Sequence, residues 1–262
     1  MAILDFDGTL TDIQKEGEEF TKDFKRGLAA LLNRPSVDRL WEDAEAQRAG
    51  RAHELAWNCD GFLTAPVSDP YLIAMALADM IFERLGVFSD PLARISVKDA
   101  LFSRSYGKSP PFYREGADSF LKELLASMPV AIVSNSVSSV ITSKLAAIGI
   151  EAPVYGDAKK NKIDPLWAEV PEGHAVEGLS RPVLLRRRLY FEVLSRISGE
   201  FSIPINGMSV MGDNYDLDLS LPQHLGASTA LITRPGNNPY ELKAAKHVVS
   251  DYAEARRFFG IV

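Results

Sequence analysis

Two carboxylates separated by one residue, Asp5 and Asp7, stand at the end of a short apolar run in the segment Ala2-Ile3-Leu4-Asp5-Phe6-Asp7-Gly8-Thr9. On an extended chain, side chains two apart point to the same side. Negative charges held that close repel each other, so a fold that keeps them together needs a compensating charge, usually a divalent cation. A second apolar run ends in the same way, in Val210-Met211-Gly212-Asp213-Asn214-Tyr215-Asp216-Leu217-Asp218. Taken singly, each segment also reads as a strand followed by an Asp-Gly turn or an acidic loop. Taken together they offer oxygen ligands without clustered His or Cys, the donor set of Mg²⁺.

A third segment, Ser134-Asn135, follows the apolar run Val130-Ala131-Ile132-Val133 and opens a helical pattern. A hydroxyl there, with unpaired backbone N–H groups behind it, suits a phosphate oxygen. It equally suits an ordinary helix cap. Cations occur in two clusters, Lys159, Lys160 and Lys162, then Arg186, Arg187 and Arg188, with residues 161–185 between them reading as an insertion. Three cations at a helix start oppose the macrodipole, a mismatch that a nearby anion relieves. Lys160 and Arg187 are the candidates to neutralise such an anion.

These residues need elements to position them. From about residue 15 to 112 the pattern is helical: Phe20, Phe24, Leu28, Leu31 and Leu32 recur at helix spacing up to a stop at Asn33 and Pro35. Asp69-Pro70 and Asp90-Pro91 read as cap and first-turn pairs of two more helices, and no strand pattern stands out. After residue 113 strands and helices alternate, with strands expected at 130–133, 152–156, 208–212, 228–233 and 246–250. Short apolar strands between helices imply a parallel sheet covered on both faces, with ligands at the strand C-terminal ends. With the first strand at residues 2–6, the expected architecture is an α/β, Rossmann-like, doubly wound core of residues 1–14 and 113–262. A helical domain of residues 15–112 interrupts it. Arg114-Glu115-Gly116 is a possible hinge segment at the junction.

The bulk properties narrow the function classes. The 262 residues carry a net charge of −6, which argues against nonspecific nucleic-acid binding. The lone Cys59 has no disulfide partner within the chain, and no apolar stretch is long enough to span a bilayer. A strand starting at residue 2 leaves no room for a leader, so a cytoplasmic location is expected. A monomer or homodimer is the expected assembly.

Asp5-Phe6-Asp7-Gly8-Thr9, Ser134-Asn135 and Gly212-Asp213-Asn214 with Asp218 resemble, in order and separation, motifs one, two and four of the haloacid dehalogenase-like superfamily. The helical insertion after the first motif resembles that superfamily's type-1 cap. The resemblance implies a Mg²⁺-dependent phosphohydrolase acting on a small phosphorylated metabolite. Asp5 would be the nucleophile, forming an aspartyl-phosphate, and Asp7 the acid and then the base. Asp5, Asp7 (through its carbonyl), Asp213 and Asp218 would bind the metal, with Asp216 a rival for the last place. Thr9, Ser134 and Asn135 would bind the phosphoryl group, and Lys160 or Arg187 would neutralise it. His53, Trp57, Asn58 and Asp60 in the insertion could meet the leaving group. A phosphomutase, or a catalytically silent binding protein on the same fold, are the alternatives. An acid at Asp7 argues against a dehalogenase, because a halide leaves without a proton.

Overall fold

In a computed structural model of the protein, residues 1–49, 56–106 and 112–261 are described. The strands are Ala2–Leu4 (β1), Ala56–Cys59 (β2), Phe62–Pro66 (β3), Val130–Val133 (β4), Val154–Tyr155 (β5), Gly173–His174 (β6), Val183–Leu184 (β7), Ser209–Gly212 (β8), Ser228–Ile232 (β9) and His247–Val249 (β10). Six of them form one parallel sheet in the order β10-β9-β8-β1-β4-β5. All six coincide with the runs expected from sequence. Contacts divide the chain into two units, one of Met1–Asp12, Ala56–Pro66 and Tyr113–Val262, the other of Ile13–Leu55 and Val67–Phe112.

In the first unit, β1 lies at the centre of the sheet, with Leu4 level with Ile132 of β4 on one side and Met211 of β8 on the other. The strands are apolar at consecutive positions because both faces are covered. Ala2 and Leu4 point into one layer with Phe120, Leu124, Ile141 and Phe259, whereas Ile3 points into the other with Tyr190, Leu194 and Ile197. Each such leucine, isoleucine or phenylalanine, fully buried, contributes about 1.5–3 kcal/mol. Because β1 leads to β4 on one side and pairs with β8 on the other, the chain reverses its direction of travel across the sheet at β1. Ligand crevices of open α/β sheets form at such a point.

The second unit is built from helices Ile13–Leu31, Asp38–Ala49, Pro70–Leu85 and Pro91–Ser105. Phe20, Phe24, Leu28, Leu77, Ile81 and Phe82 share its core. Asp69 accepts from the Leu72 N–H at 2.9 Å and Asp90 from that of Ala93 at 2.7 Å, each ahead of a proline in the first turn. Among the described residues, no helix is long and apolar enough to cross a membrane.

The reading of residues 15–112 as free of strands needs one correction. β2 and β3 form an antiparallel hairpin, and this hairpin groups with the sheet unit rather than with the four helices. Its two-residue turn, Asp60-Gly61, has positive φ at both positions (54° and 88°), the geometry that matches the twist of the flanking strands.

The loops after β4 and β5 are laced together. The Asp157 and Ala158 N–H groups donate to the Ser136 and Ser134 carbonyls at 2.9 and 3.0 Å. A Cβ at Gly156 would lie 2.3 Å from the Ser138 nitrogen and 2.5 Å from the Ser136 carbonyl oxygen, both main-chain atoms that cannot rotate aside. Gly156→Ala is therefore expected to lower stability by about 1–3 kcal/mol, read from urea unfolding of the two proteins. An unchanged midpoint would show that the loops separate freely.

Candidate active site

Loops after β1, β4, β5, β8 and β9 meet at the C-terminal edge of the sheet. Asp5 follows β1, and its N–H donates to the Met211 carbonyl at 2.9 Å, extending the ladder with β8. The chain then turns at Gly8, where φ is +82° and a Cβ would lie 2.3 Å from Asp213 Oδ2. Glycine there satisfies both the turn and the close approach of the two acidic loops.

Both oxygens of Asp5 accept hydrogen bonds. Thr9 Oγ1 donates to Oδ2 at 3.0 Å and Lys160 Nζ to Oδ1 at 2.8 Å. The same ammonium donates to Asp218 Oδ1 at 2.8 Å and stands 5.6 Å from the centre of the Tyr190 ring. Lys160 is only 2% exposed. Burial opposes its charge, but Asp218 and Asp5 outweigh burial and hold the ammonium above the ordinary lysine range. Asp5 is pushed well above the usual carboxylate range, by burial first and then by Asp218. Asp213 and Asp7 add to that push, and Lys160 opposes it.

Asp5, Asp213 and Asp218 each place one carboxylate oxygen within 4.8 Å of the others. All three are buried. A buried all-oxygen cluster that raises the pKa of one of its own members fits a hard dication such as Mg²⁺. Asp213 Oδ2 accepts from Arg234 Nε, and its carbonyl accepts from Asn237 Nδ2 at 2.9 Å.

A widened, π-type turn at Tyr215–Leu219 separates the two acids that the sequence left as rivals. Asp218 points into the cluster, and its Oδ2 also accepts from the Asn214 N–H at 3.0 Å. Asp216 lies on the other side, wholly buried, accepting from Arg181 Nη2 at 2.7 Å and from the Tyr240 hydroxyl at 3.0 Å. A Cβ at Gly212 would lie 2.4 Å from the Cβ of Asp218, so the glycine before Asp213 is what lets this turn fold back.

The Asp7 carboxylate is not part of the three-acid cluster. Its Oδ2 accepts from Ser136 Oγ at 2.7 Å and from Ser134 Oγ at 3.1 Å. Asn135 Oδ1 accepts from the Lys160 N–H at 2.7 Å, so this side chain holds the lysine loop in place.

No family model and no curated protein matches the sequence. Solved structures do match its fold. A predicted phosphoglycolate phosphatase from Haemophilus somnus is 14% identical with a TM-score of 0.61, over 99% of this chain and 97% of that one. The putative HAD-hydrolase YfnB from Bacillus subtilis, solved bound to magnesium, is 14% identical with a TM-score of 0.55, over 99% and 97%. A 2-haloacid dehalogenase from Pseudomonas syringae is 14% identical with a TM-score of 0.51, over 99% and 97%. This chain has the haloacid dehalogenase-like fold.

Within that haloacid dehalogenase-like fold, Arg187 does not stand where the sequence reading put it. Its wholly buried guanidinium donates to main-chain carbonyls: Nε to Leu184 at 3.1 Å, Nη2 to Thr64 at 2.7 Å, and Nη1 to Lys160. Burial draws its pKa down to about 10, against the pull of Asp216. The rest of the arginine cluster is met by groups of the chain itself. Arg186 donates to the Pro165 carbonyl at 2.6 Å, and Arg188 pairs with Glu192 at 3.0 Å. Arg187 thus ties the hairpin strand β3 to the loop that carries Lys160.

The remaining insertion candidates face other partners. Asn58 Oδ1 accepts from the Gly61 N–H at 3.0 Å, Asp60 pairs with Lys162 at 2.6 Å, and the Trp57 carbonyl accepts from Thr64 Oγ1 at 3.2 Å. His53 lies outside the described residues. Arg114, read as part of a hinge, joins two loops of the site by donating to the Gly8 carbonyl at 3.0 Å and the Thr233 carbonyl at 2.8 Å. Ser136 and Arg234 were not singled out from sequence. Each follows an expected strand on the ligand edge, and that position was the available signal.

Removing the Arg187 guanidinium leaves buried carbonyls without their donor. Arg187→Met is expected to cost about 3 kcal/mol of stability in urea unfolding. A melting curve like that of the wild type would show the clamp to be dispensable.

Glu241 offers a second check. Burial raises its pKa from 4.5 to about 7, against Arg234 and the Asn238 N–H. The folded state therefore binds the extra proton between those two values, and its stability falls as pH rises from 4.5 to about 7. Because Asp5 is raised as well, unfolding measured across that window should show a steeper fall in the wild type than in Glu241→Gln. Equal slopes would place the titration elsewhere.

Proposed function

We propose that this chain is a Mg²⁺-dependent phosphohydrolase that releases inorganic phosphate from a small phosphorylated metabolite. The supporting observation is the separation of Asp5 from Asp7. One carboxylate lies with Lys160 in a buried acidic cluster, and the other is held apart by two serine hydroxyls. Two acids in different surroundings can take different roles at one pH.

In this reading an Asp5 oxygen attacks phosphorus. The ester P–O bond breaks as Asp7, in its acid form, gives its proton to the leaving oxygen. Asp7, now a carboxylate, takes a proton from water as that water attacks the aspartyl-phosphate. The bond from phosphorus to Asp5 breaks, and phosphate leaves. Lys160 holds Asp5 in line and offsets negative charge, while Thr9 donates to Asp5, and Ser134 and Ser136 donate to Asp7. Asp5, Asp213, Asp218 and the Asp7 carbonyl would hold Mg²⁺, which when bound offsets the repulsion between an anionic nucleophile and an anionic substrate.

The fold does not by itself separate phosphoryl transfer from dehalogenation. Asp7 favours the former, because an alkoxide needs a proton on leaving and a halide does not.

The test is a panel of phosphorylated metabolites and p-nitrophenyl phosphate, assayed for phosphate with and without Mg²⁺. 2-Chloropropionate, assayed for chloride, serves as the rival substrate. Phosphate release that depends on Mg²⁺, vanishes in Asp5→Asn, and falls about 10²–10⁴-fold in Asp7→Asn is expected. Lys160→Met should lose turnover. Chloride release without phosphate release, or an Asp5→Asn variant that keeps most of the wild-type rate, would refute the assignment.

A further inference from the structure

We propose that Arg234 is a built-in competitor for the metal, occupying Asp213 until a divalent cation displaces it. The inference rests on the metal reading given above and goes beyond it, because it concerns how tightly the site holds the ion.

Arg234 Nε donates to Asp213 Oδ2, and the two side chains are 4% and 7% exposed. A guanidinium keeps its charge at any physiological pH, and a carboxylate paired with it away from water is bound far more firmly than a surface pair. Asp213 is also one of the three clustered acids. The oxygen that Arg234 occupies belongs to the carboxylate with which an incoming cation must bond.

The turn after β9 aims this contact. Asn237 Oδ1 accepts from the Arg234 N–H at 2.8 Å, while Asn237 Nδ2 donates to the Asp213 carbonyl at 2.9 Å. One amide therefore fixes the main chain of both the acid and its cation. Pro235 limits the chain between them, and Gly236 takes a φ of +95° that closes the turn. The Asp213 carboxylate has little room to retreat, since Gly8 packs so closely against Oδ2 that a Cβ there would lie 2.3 Å away.

Charge balance supports the same conclusion. Lys160 serves Asp5 and Asp218, and Arg234 serves Asp213. Three acids and two cations leave a small negative excess, which lowers the cost of burying the cluster. The net affinity for Mg²⁺ is then the metal–carboxylate gain less the loss of the Arg234–Asp213 pair.

Isothermal titration of the whole protein with MgCl₂, at fixed ionic strength and without substrate, tests this directly. Arg234→Gln is expected to bind Mg²⁺ about tenfold more tightly than the wild type, or better. Arg234→Lys, which keeps a charge but loses the planar fork, should fall between the two. Far-UV circular dichroism identifies any variant that fails to fold. If Arg234→Gln does not fold, Arg234→Lys carries the comparison, and tighter binding than the wild type is again the expected result. Mg²⁺ binding that is equal or weaker in the folded variant overturns the competition and leaves the metal site standing. Absence of Mg²⁺ binding in wild type and variants alike overturns the metal reading, and this inference with it.

Discussion

The Lys160 ammonium, bonded at once to Asp5 and Asp218, is the interaction around which the site is arranged. It joins a strand end at the start of the chain to an acidic turn 213 residues later, and it does so from a third loop in between. An unshielded lysine in that position would be costly to bury, and so would either acid. Together they are stable, and each holds the others in place. The rest of the unit serves this contact: Asn135 fixes the lysine main chain through its N–H, and Arg187 through its carbonyl. Tyr190, whose hydroxyl donates to the Asp218 carbonyl at 3.0 Å, covers it from the helix side.

A division of labour among charged groups follows. Buried acids on one side of the Tyr215–Leu219 turn face Lys160, and the acid on the other side faces Arg181 and Tyr240. The turn is thus anchored from both directions, which limits how far Asp213 and Asp218 can drift. Arg181 comes from the 161–185 stretch that read as an insertion without a role. Its bond to Asp216 makes that stretch part of the support of the acidic loop.

The sheet was legible because its strands are short apolar runs bounded by turns, and burial on both faces demands such runs. The acids were legible because each stands at the end of one of those runs, where a parallel sheet gathers its loops. The hairpin of β2 and β3 was missed although Asp60-Gly61 is a strong two-residue turn signal. Its strands are only half apolar, and they sit inside a long helical stretch that dominated the pattern. Arg187 misled for a different reason. Sequence shows that a cation is present but not whether carboxylates or carbonyls will satisfy it, and the Thr64 carbonyl that it caps is 123 residues away. Arg234 lay on the correct edge, but a single arginine after a strand carries no pattern of its own.

The three-residue strand β1 has one further consequence, for biosynthesis. It is synthesised before every other strand of its sheet, yet its ladder partners begin at Val130 and Ser209. Order of synthesis and order of assembly are opposed: an apolar segment with open edges on both sides must wait while most of the polypeptide is made. Contacts of such long sequence separation close slowly. Nascent chains that end before β8 therefore leave one edge of β1 open and lack Asp213 and Asp218 of the acidic cluster.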